Sequence, residues 1–419
     1  MSQLEYLRSS PSTCRARHYS DDDFEMDMDD EWTTETESET SATIFSVGRT
    51  NATTETSVDD DGISMRSQTP EPEPIMHMDE VLRSNLYKLE FGRNLNSFSD
   101  IYKLPADEEE LDRLERQYDM LNSLLDRKYT PPMMEVLADD GSEPQKAVLD
   151  LGTGSGNWII DVARDFPHCS AVAIDLTPMK VMYDMILHRP ENLEESVRIP
   201  TNLRGEVDDI NLGLEHYYGK FNVVHTRLIA IGVQDYYRLI DQISEVLRPG
   251  GLIDLTEVGY EAYDRHHQPI KIDFNPDTDK PNWKSPYWAH WLRAIATVAS
   301  TGGGETSASR NLESWLHAHR ALEDVVHREF WLPIIPGNYD RPPAEAEFLK
   351  HYRNVLEYDV TTFLKSGRPM LLKAGYNESY LSEMEHLILT EMREAKEPQY
   401  SRIECVYARK ARELSNKLW

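Results

Sequence analysis

The chain has 419 residues, 74 acidic against 44 basic side chains and a formal net charge of −30, long enough for one large domain with appendages or two ordinary domains. So acidic a protein is expected to make no direct contact with the phosphate backbone of nucleic acid. No apolar run approaches the roughly 20 residues that span a bilayer, and the opening MSQLEYLRSSPST lacks the basic-then-apolar pattern of a secretory leader.

The expected compartment is therefore intracellular, cytoplasm or nucleus, with no membrane partner. Three dispersed cysteines, Cys14, Cys169 and Cys405, form no C-x-x-C pair, so neither a disulfide framework nor a metal site is suggested. About half of the acidic excess lies before residue 81. The stretch from Tyr19 to Met76 is rich in Ser, Thr, Asp and Glu and ends in TPEPEP. Such a segment buries too little apolar surface to offset its ordering entropy, and the expectation is a disordered acidic tail over residues 1–85. A regulatory protein partner could dock on it.

Order is expected from about Leu86. In YKLPADEEELDRLERQYDMLNSLLD, Asp107 can cap a helix whose Glu110 reaches back to complete a capping box. Leu111, Leu114, Tyr118, Leu121 and Leu125 then step by three and four, giving that helix one apolar face. From Ala147 the rhythm changes. AVLDL, AVAID at 171–175, FNVVH at 221–225 and GLIDLTEV at 251–258 are short apolar strands alternating with helical NWIIDVARDF and YYRLIDQISEVL, the pattern of a parallel sheet covered on both faces. Pro249, Gly250 and Gly251 are expected to end the second helix and turn into the next strand. After Val258, SPYWAHWLRAIATVAS and ESWLHAHRALE read as helices, VVHREFWLPI and SRIECVYARK as late strands. The aromatic cluster Trp283, Tyr287, Trp288 and Trp291 suits either a cover over a ligand or buried packing.

The stretch DLGTGSGNW at 150–158 carries the chemistry. A ligand site is expected at the carboxyl end of the first strand of such a sheet. Gly152, Gly154 and Gly156 make G-x-G-x-G, with Asn157 where a dinucleotide fingerprint continues to a later third glycine. The backbone can approach a ligand closely, but nothing demands a phosphate. Asp150, before the loop, suits a ligand carrying positive charge. Asp175 ends the second strand, where a carboxylate can accept from two ribose hydroxyls, and in GEVDDI Asp208 and Asp209 precede the entry of what would be the fourth strand.

DLGTGSGNW, IDLTP, EVDD, VVHTR and LRPGG, together with YKLPADEEELDRL before them and ESWLHAHRALEDVVHREFWLPI…YSRIECVYARK after them, resemble the fungal LaeA-like methyltransferases, regulators of secondary metabolism, over residues 86–411. The sequence departs from that pattern at Asn157 and at QDYY, residues 234–237. The resemblance implies an α/β fold: a Rossmann-like class I methyltransferase with a seven-stranded, mostly parallel sheet whose last strand is antiparallel. It divides the chain into the tail, an N-terminal helical cap at 86–146, a cofactor-binding core at 147–258, a helical lid with sheet-completing strands at 259–411, and a short tail at 412–419. It implies S-adenosyl-L-methionine as cofactor, with Asp150, Gly152, Thr153, Gly154, Gly156, Asp175, Leu176, Asp208, Asp209 and His225 around it.

On the acceptor side the candidates are His225 as a base near neutral pH, Arg227 as an orienting or ion-pairing group, and Glu257 with Tyr260 past the fifth strand. The acceptor is a protein or a small molecule of fungal metabolism. The alternative is a regulatory partner protein that keeps cofactor binding with little or no turnover.

Overall fold

The computed structural model describes residues 45–47, 84–141, 143–180, 182, 199–394 and 397–412. A short strand β1 (Phe45–Val47) is followed by a hairpin of β2 (Tyr87–Glu90) and β3 (Arg93–Asn96). Then come α1 (Glu108–Leu124), α2 (Pro131–Val136), β4 (Ala147–Leu151), α3 (Asn157–Asp165), β5 (Ser170–Asp175), β6 (Leu203–Val207), β7 (Phe221–Arg227), α4 (Tyr236–Val246) and β8 (Leu247–Tyr263). The C-terminal part adds α5 (Tyr287–Thr301), α6 (Ala308–Ala318), β9 (Leu322–Ile335), α7 (Pro343–Lys373), α8 (Glu378–Glu394) and β10 (Gln399–Lys410).

The main sheet runs β1-β6-β5-β4-β7-β8-β10-β9. Strands β6, β5, β4, β7 and β8 are parallel, while β10 lies antiparallel to both β8 and β9. Those seven strands form the expected sheet. An eighth, β1, joins its edge parallel to β6, which corrects the expectation of disorder at residues 45–47; most of the acidic tail lies outside the described residues.

Alternation along the central strands feeds two cores. Val148, Ala171, Ala173, Val223 and Leu252 face α1, α2 and α3. Leu149, Val172, Ile174, Val224 and Ile253 face α4 and α6. Each strand is therefore buried on both faces, which is why the sequence shows apolar runs there instead of polar alternation. A third core holds the C-terminal helices together and includes Trp291, Leu292, Leu356, Leu364 and Leu381.

Two local expectations are corrected. Asp107 caps α1, its Oδ1 accepting from the Glu110 backbone N–H at 3.2 Å, but the Glu110 carboxylate does not return to close a capping box. It accepts from Arg113 at 2.6 and 3.0 Å and is buried; the guanidinium is the stronger partner for a desolvated carboxylate. The Pro249-Gly250-Gly251 segment lies inside β8, where the pairing with β7 shifts register between Phe221 and Val223. Gly250 sits there at φ +78°, so the signal of chain reversal marks a bulge.

Candidate functional site

The glycine loop leaves the tip of β4 and enters α3 under tight steric control. Gly152 stands at φ +71°, and a Cβ there would lie 2.4 Å from the Ile229 Cγ2. Gly156, the residue before α3, stands at φ +87° with the Met179 Sδ 2.6 Å from where its Cβ would be. Both positions thus exclude side chains by conformation and by space. The loop is tied to the neighbouring strand: Gly152 N–H and Thr153 N–H donate to the Ile174 carbonyl at 2.8 and 3.0 Å.

Asp150 is buried at the end of β4, and both its oxygens are engaged. Oδ2 accepts from Thr153 Oγ1 at 2.6 Å, and Oδ1 lies 2.8 Å from His225 Nδ1 on β7. The His225 ring stacks on Trp158 of α3, centroids 3.7 Å apart. This trio locks the loop, β7 and the start of α3 together, and leaves His225 as a packed, hydrogen-bonded group.

Asp175, at the tip of β5, receives the Gly154 backbone N–H at 2.8 Å and that of Thr177 at 3.3 Å. Burial nevertheless raises its pKa to about 6, those backbone donors opposing the rise. Asp208 and Asp209 follow β6. Asp208 Oδ1 accepts from the Asp209 N–H, and Asp209 Oδ1 is held by the Asn211 backbone and side-chain N–H groups at 2.9 and 2.8 Å.

Arg227 ends β7. Its guanidinium lies over the Tyr118 ring, 4.9 Å from the centroid, and burial lowers its pKa. Among the described residues it has no hydrogen bond or ion pair to a carboxylate. Glu257 is fully inside the protein, its Oε1 accepting from Ile229 N–H at 3.0 Å and Tyr236 O–H at 2.9 Å. Burial pushes its carboxyl up to about 7, with those two donors pulling the other way. Tyr236 belongs to QDYY, so the departure noted in the sequence builds this contact.

One cavity of about 240 Å³ gathers most of these groups. Asp150, Gly152, Thr153, Gly154, Asp175, Leu176, Asp208, Asp209, His225, Arg227 and Tyr260 all border it. Gly156 and Glu257 do not; the first shapes the helix start and the second braces the loop after β7. The sequence reading missed the opposite wall, which includes Tyr102, Leu332, Asp359, Phe363 and Ile403, and also Trp158, which borders the cavity beside His225. Part of it was detectable: the apolar face of α1 was expected to pack on something, and Leu111, Leu114, Tyr118 and Leu121 line this cavity. That roof is pinned by a buried network in which Arg113 bonds Glu110 on its own helix and Asp359 of α7 at 2.7 Å, while Ser366 of α7 donates to Glu110.

Residues 121–319 match the family model described as a methyltransferase domain. The chain is 39% identical over 322 residues to a secondary metabolism regulator laeA of Coprinopsis cinerea, covering 77% of this chain and 73% of that protein. It is 26% identical to methyltransferase str2 of Strobilurus tenacellus over 68% of this chain and 88% of that one. It is 26% identical to a secondary metabolism regulator laeA of Aspergillus niger over 66% and 64%. Glycine loop, strand-tip carboxylates, sheet order and these relatives together place the chain in the LaeA-like family of class I S-adenosylmethionine-dependent methyltransferases.

Proposed function

We propose that the chain holds S-adenosylmethionine over the tips of β4 and β5 and transfers its methyl group to an acceptor in the far end of the same cavity, in a role linked to secondary metabolism. The observation that carries this reading is continuity: the glycine loop, Asp175 and the walls of α1, α5 and α7 border a single space.

The donor set fits the cofactor. Asp175 offers a carboxylate to the ribose hydroxyls, and Asp208 and Asp209 border the adenine end. Arg227, whose guanidinium has no carboxylate partner among the described residues, complements the carboxylate of the methionine part, while Asp150 sets a negative potential for its ammonium. The bound cofactor supplies a methyl group on a sulfonium, open to in-line displacement. The protein's part is alignment in a dry site, an effect that reaches about 7–11 kcal/mol in well-oriented reactions. Arg227 is thus a positioning residue. His225, clamped to Asp150 and stacked on Trp158, orders the loop; Glu257, outside the cavity, supports Ile229.

The test is transfer of labelled methyl from S-adenosylmethionine into a lysate of a strain lacking this protein. Label that depends on the added chain supports turnover. The Coprinopsis and Aspergillus relatives are named as secondary metabolism regulators, and the second reading is a regulator that binds the cofactor without turnover; saturable binding with no labelled product supports that one.

A further inference from the structure

We propose that Tyr118 is a positioning residue for the methionine end of the cofactor: its ring holds the Arg227 guanidinium ready for the cofactor's carboxylate, so that the chain selects sulfonium nucleosides that carry one. This rests on the functional reading above. Arg227 borders the cavity at the tip of β7 and has no hydrogen bond or ion pair to a carboxylate among the described residues. Asp150 and Asp254 act on it through their charge, but both already serve other groups. Asp150 is engaged by Thr153 and His225, and Asp254 accepts from Thr130 Oγ1 at 3.1 Å. A guanidinium taken out of water keeps N–H donors that need acceptor oxygens, and a carboxylate supplies two in matching geometry.

What fixes this cation is an aromatic face. The Tyr118 ring is 5% exposed and its centroid lies 4.9 Å from the guanidinium, a contact that strengthens as the cation is desolvated. The Tyr118 hydroxyl donates to Asp161 Oδ2 at 2.7 Å, and Lys128 pairs with that same oxygen at 3.0 Å. The phenol is thereby committed to α3 through its hydroxyl and to Arg227 through its face, so it acts on a ligand through the arginine. Three elements meet at this ring: α1 carries Tyr118, α3 carries Asp161 and β7 carries Arg227. Since α3 starts where the glycine loop ends, the tyrosine registers the cation against that loop.

Decarboxylated S-adenosylmethionine isolates this contact. It keeps the adenine, ribose, sulfonium and ammonium, so the roles given to Asp175 and Asp150 are unchanged, and it lacks only the carboxylate. In its complex Arg227 is covered by ligand with its donors unmet, a penalty that S-adenosylmethionine avoids. Overall charge works in the opposite direction. Without the carboxylate the ligand is more positive, and a chain of net charge −30 attracts it more strongly. A preference for the carboxylate form is therefore a local signal from Arg227.

The test is calorimetry of the full chain with the two ligands, read as the ratio of their affinities. Both ligands meet the same folded population, so a loss of stability alone lowers both affinities and leaves the ratio in place. The wild type should prefer S-adenosylmethionine by about thirtyfold or more, and Arg227→Met should bring the ratio to within about threefold of unity. Tyr118→Leu, which removes the aromatic face, should cut the ratio to about a fifth of wild type or less, while Tyr118→Phe, which keeps the face, should hold it within about twofold. A Tyr118→Leu ratio within twofold of wild type overturns the proposal, as does a Tyr118→Phe ratio as low as that of Tyr118→Leu. S-adenosylmethionine binding by the wild type with a ratio near unity overturns the proposal alone; absence of S-adenosylmethionine binding overturns the functional reading and this proposal with it.

Discussion

At the glycine-loop end of the cavity, the polar groups that face the space come from a compact part of the chain, between Asp150 and Arg227, and each sits at or just past a strand tip. At the other end the walls are drawn from α1, β8, α5, β9, α7 and β10, so that Leu121 and Ile403 meet across most of the sequence. The first end is polar, set by backbone and carboxylates; the second is apolar, set by side-chain packing and one buried ionic network. The difference teaches that in this fold the glycine-loop end is a property of strand order, whereas the opposite end is a property of how the cap is fastened.

Removing the fastening should have the largest effect. Arg113 is the shared partner of Glu110 and Asp359, with side-chain exposures of 5%, 1% and 9%. Arg113→Ala leaves two buried carboxylates facing each other, and the expected loss of stability is about 3–5 kcal/mol, read from denaturant unfolding. Arg113→Ala together with Glu110→Leu and Asp359→Leu should recover most of that loss. If the single variant is as stable as wild type, the network does not hold the apolar end of the cavity together.

Next come changes confined to the cofactor end. Gly152→Ala places a Cβ into Ile229 at a positive φ; calorimetry should show S-adenosylmethionine affinity reduced by about 100-fold, near 2.7 kcal/mol. Asp175→Ala should weaken binding by about tenfold, near 1.4 kcal/mol, through loss of the ribose acceptor.

A pH series sharpens that second number. Asp175 titrates at about 6 in the folded protein, and only its ionised form is a full acceptor for the two hydroxyls. Wild-type affinity should therefore fall as pH drops below about 6, and Asp175→Asn should flatten that part of the profile.

The smallest effect concerns Glu257, which belongs to neither end but braces the loop between them. Its folded pKa of about 7 lies above the ordinary 4.5, so folding favours its protonated form. The corresponding stability is fully present below pH 4.5 and lost as pH rises through 7. Glu257→Gln should remove this slope from the stability profile measured between pH 5 and 8; an unchanged slope assigns it to another group.

The sequence made one end of the cavity readable and left the other largely hidden, for reasons tied to these residues. Gly152, Asp175 and the alternating strand–helix runs are local signals, because backbone conformation and strand ends are fixed by neighbours in the chain. Asp359 and Phe363 carry no such mark: they lie in the middle of a 31-residue helix, and only tertiary packing brings them to Arg113. Strand β1 was hidden by its acidic, Ser/Thr-rich surroundings, although Phe45 and Val47 have the β-forming character of a strand. Glu110 was misread because a capping box is a local option, and a long-range guanidinium network displaced it. The aromatic cluster divided between both readings, with Trp288 bordering the cavity while Trp283 and Trp291 pack in the core.

The most direct test of the account is calorimetric titration of the full chain with S-adenosylmethionine at pH 7.5, beside Asp175→Ala. The account predicts one saturable site per chain, with affinity about tenfold lower in the variant. No binding by the wild type, or equal affinity in the two proteins, would contradict it.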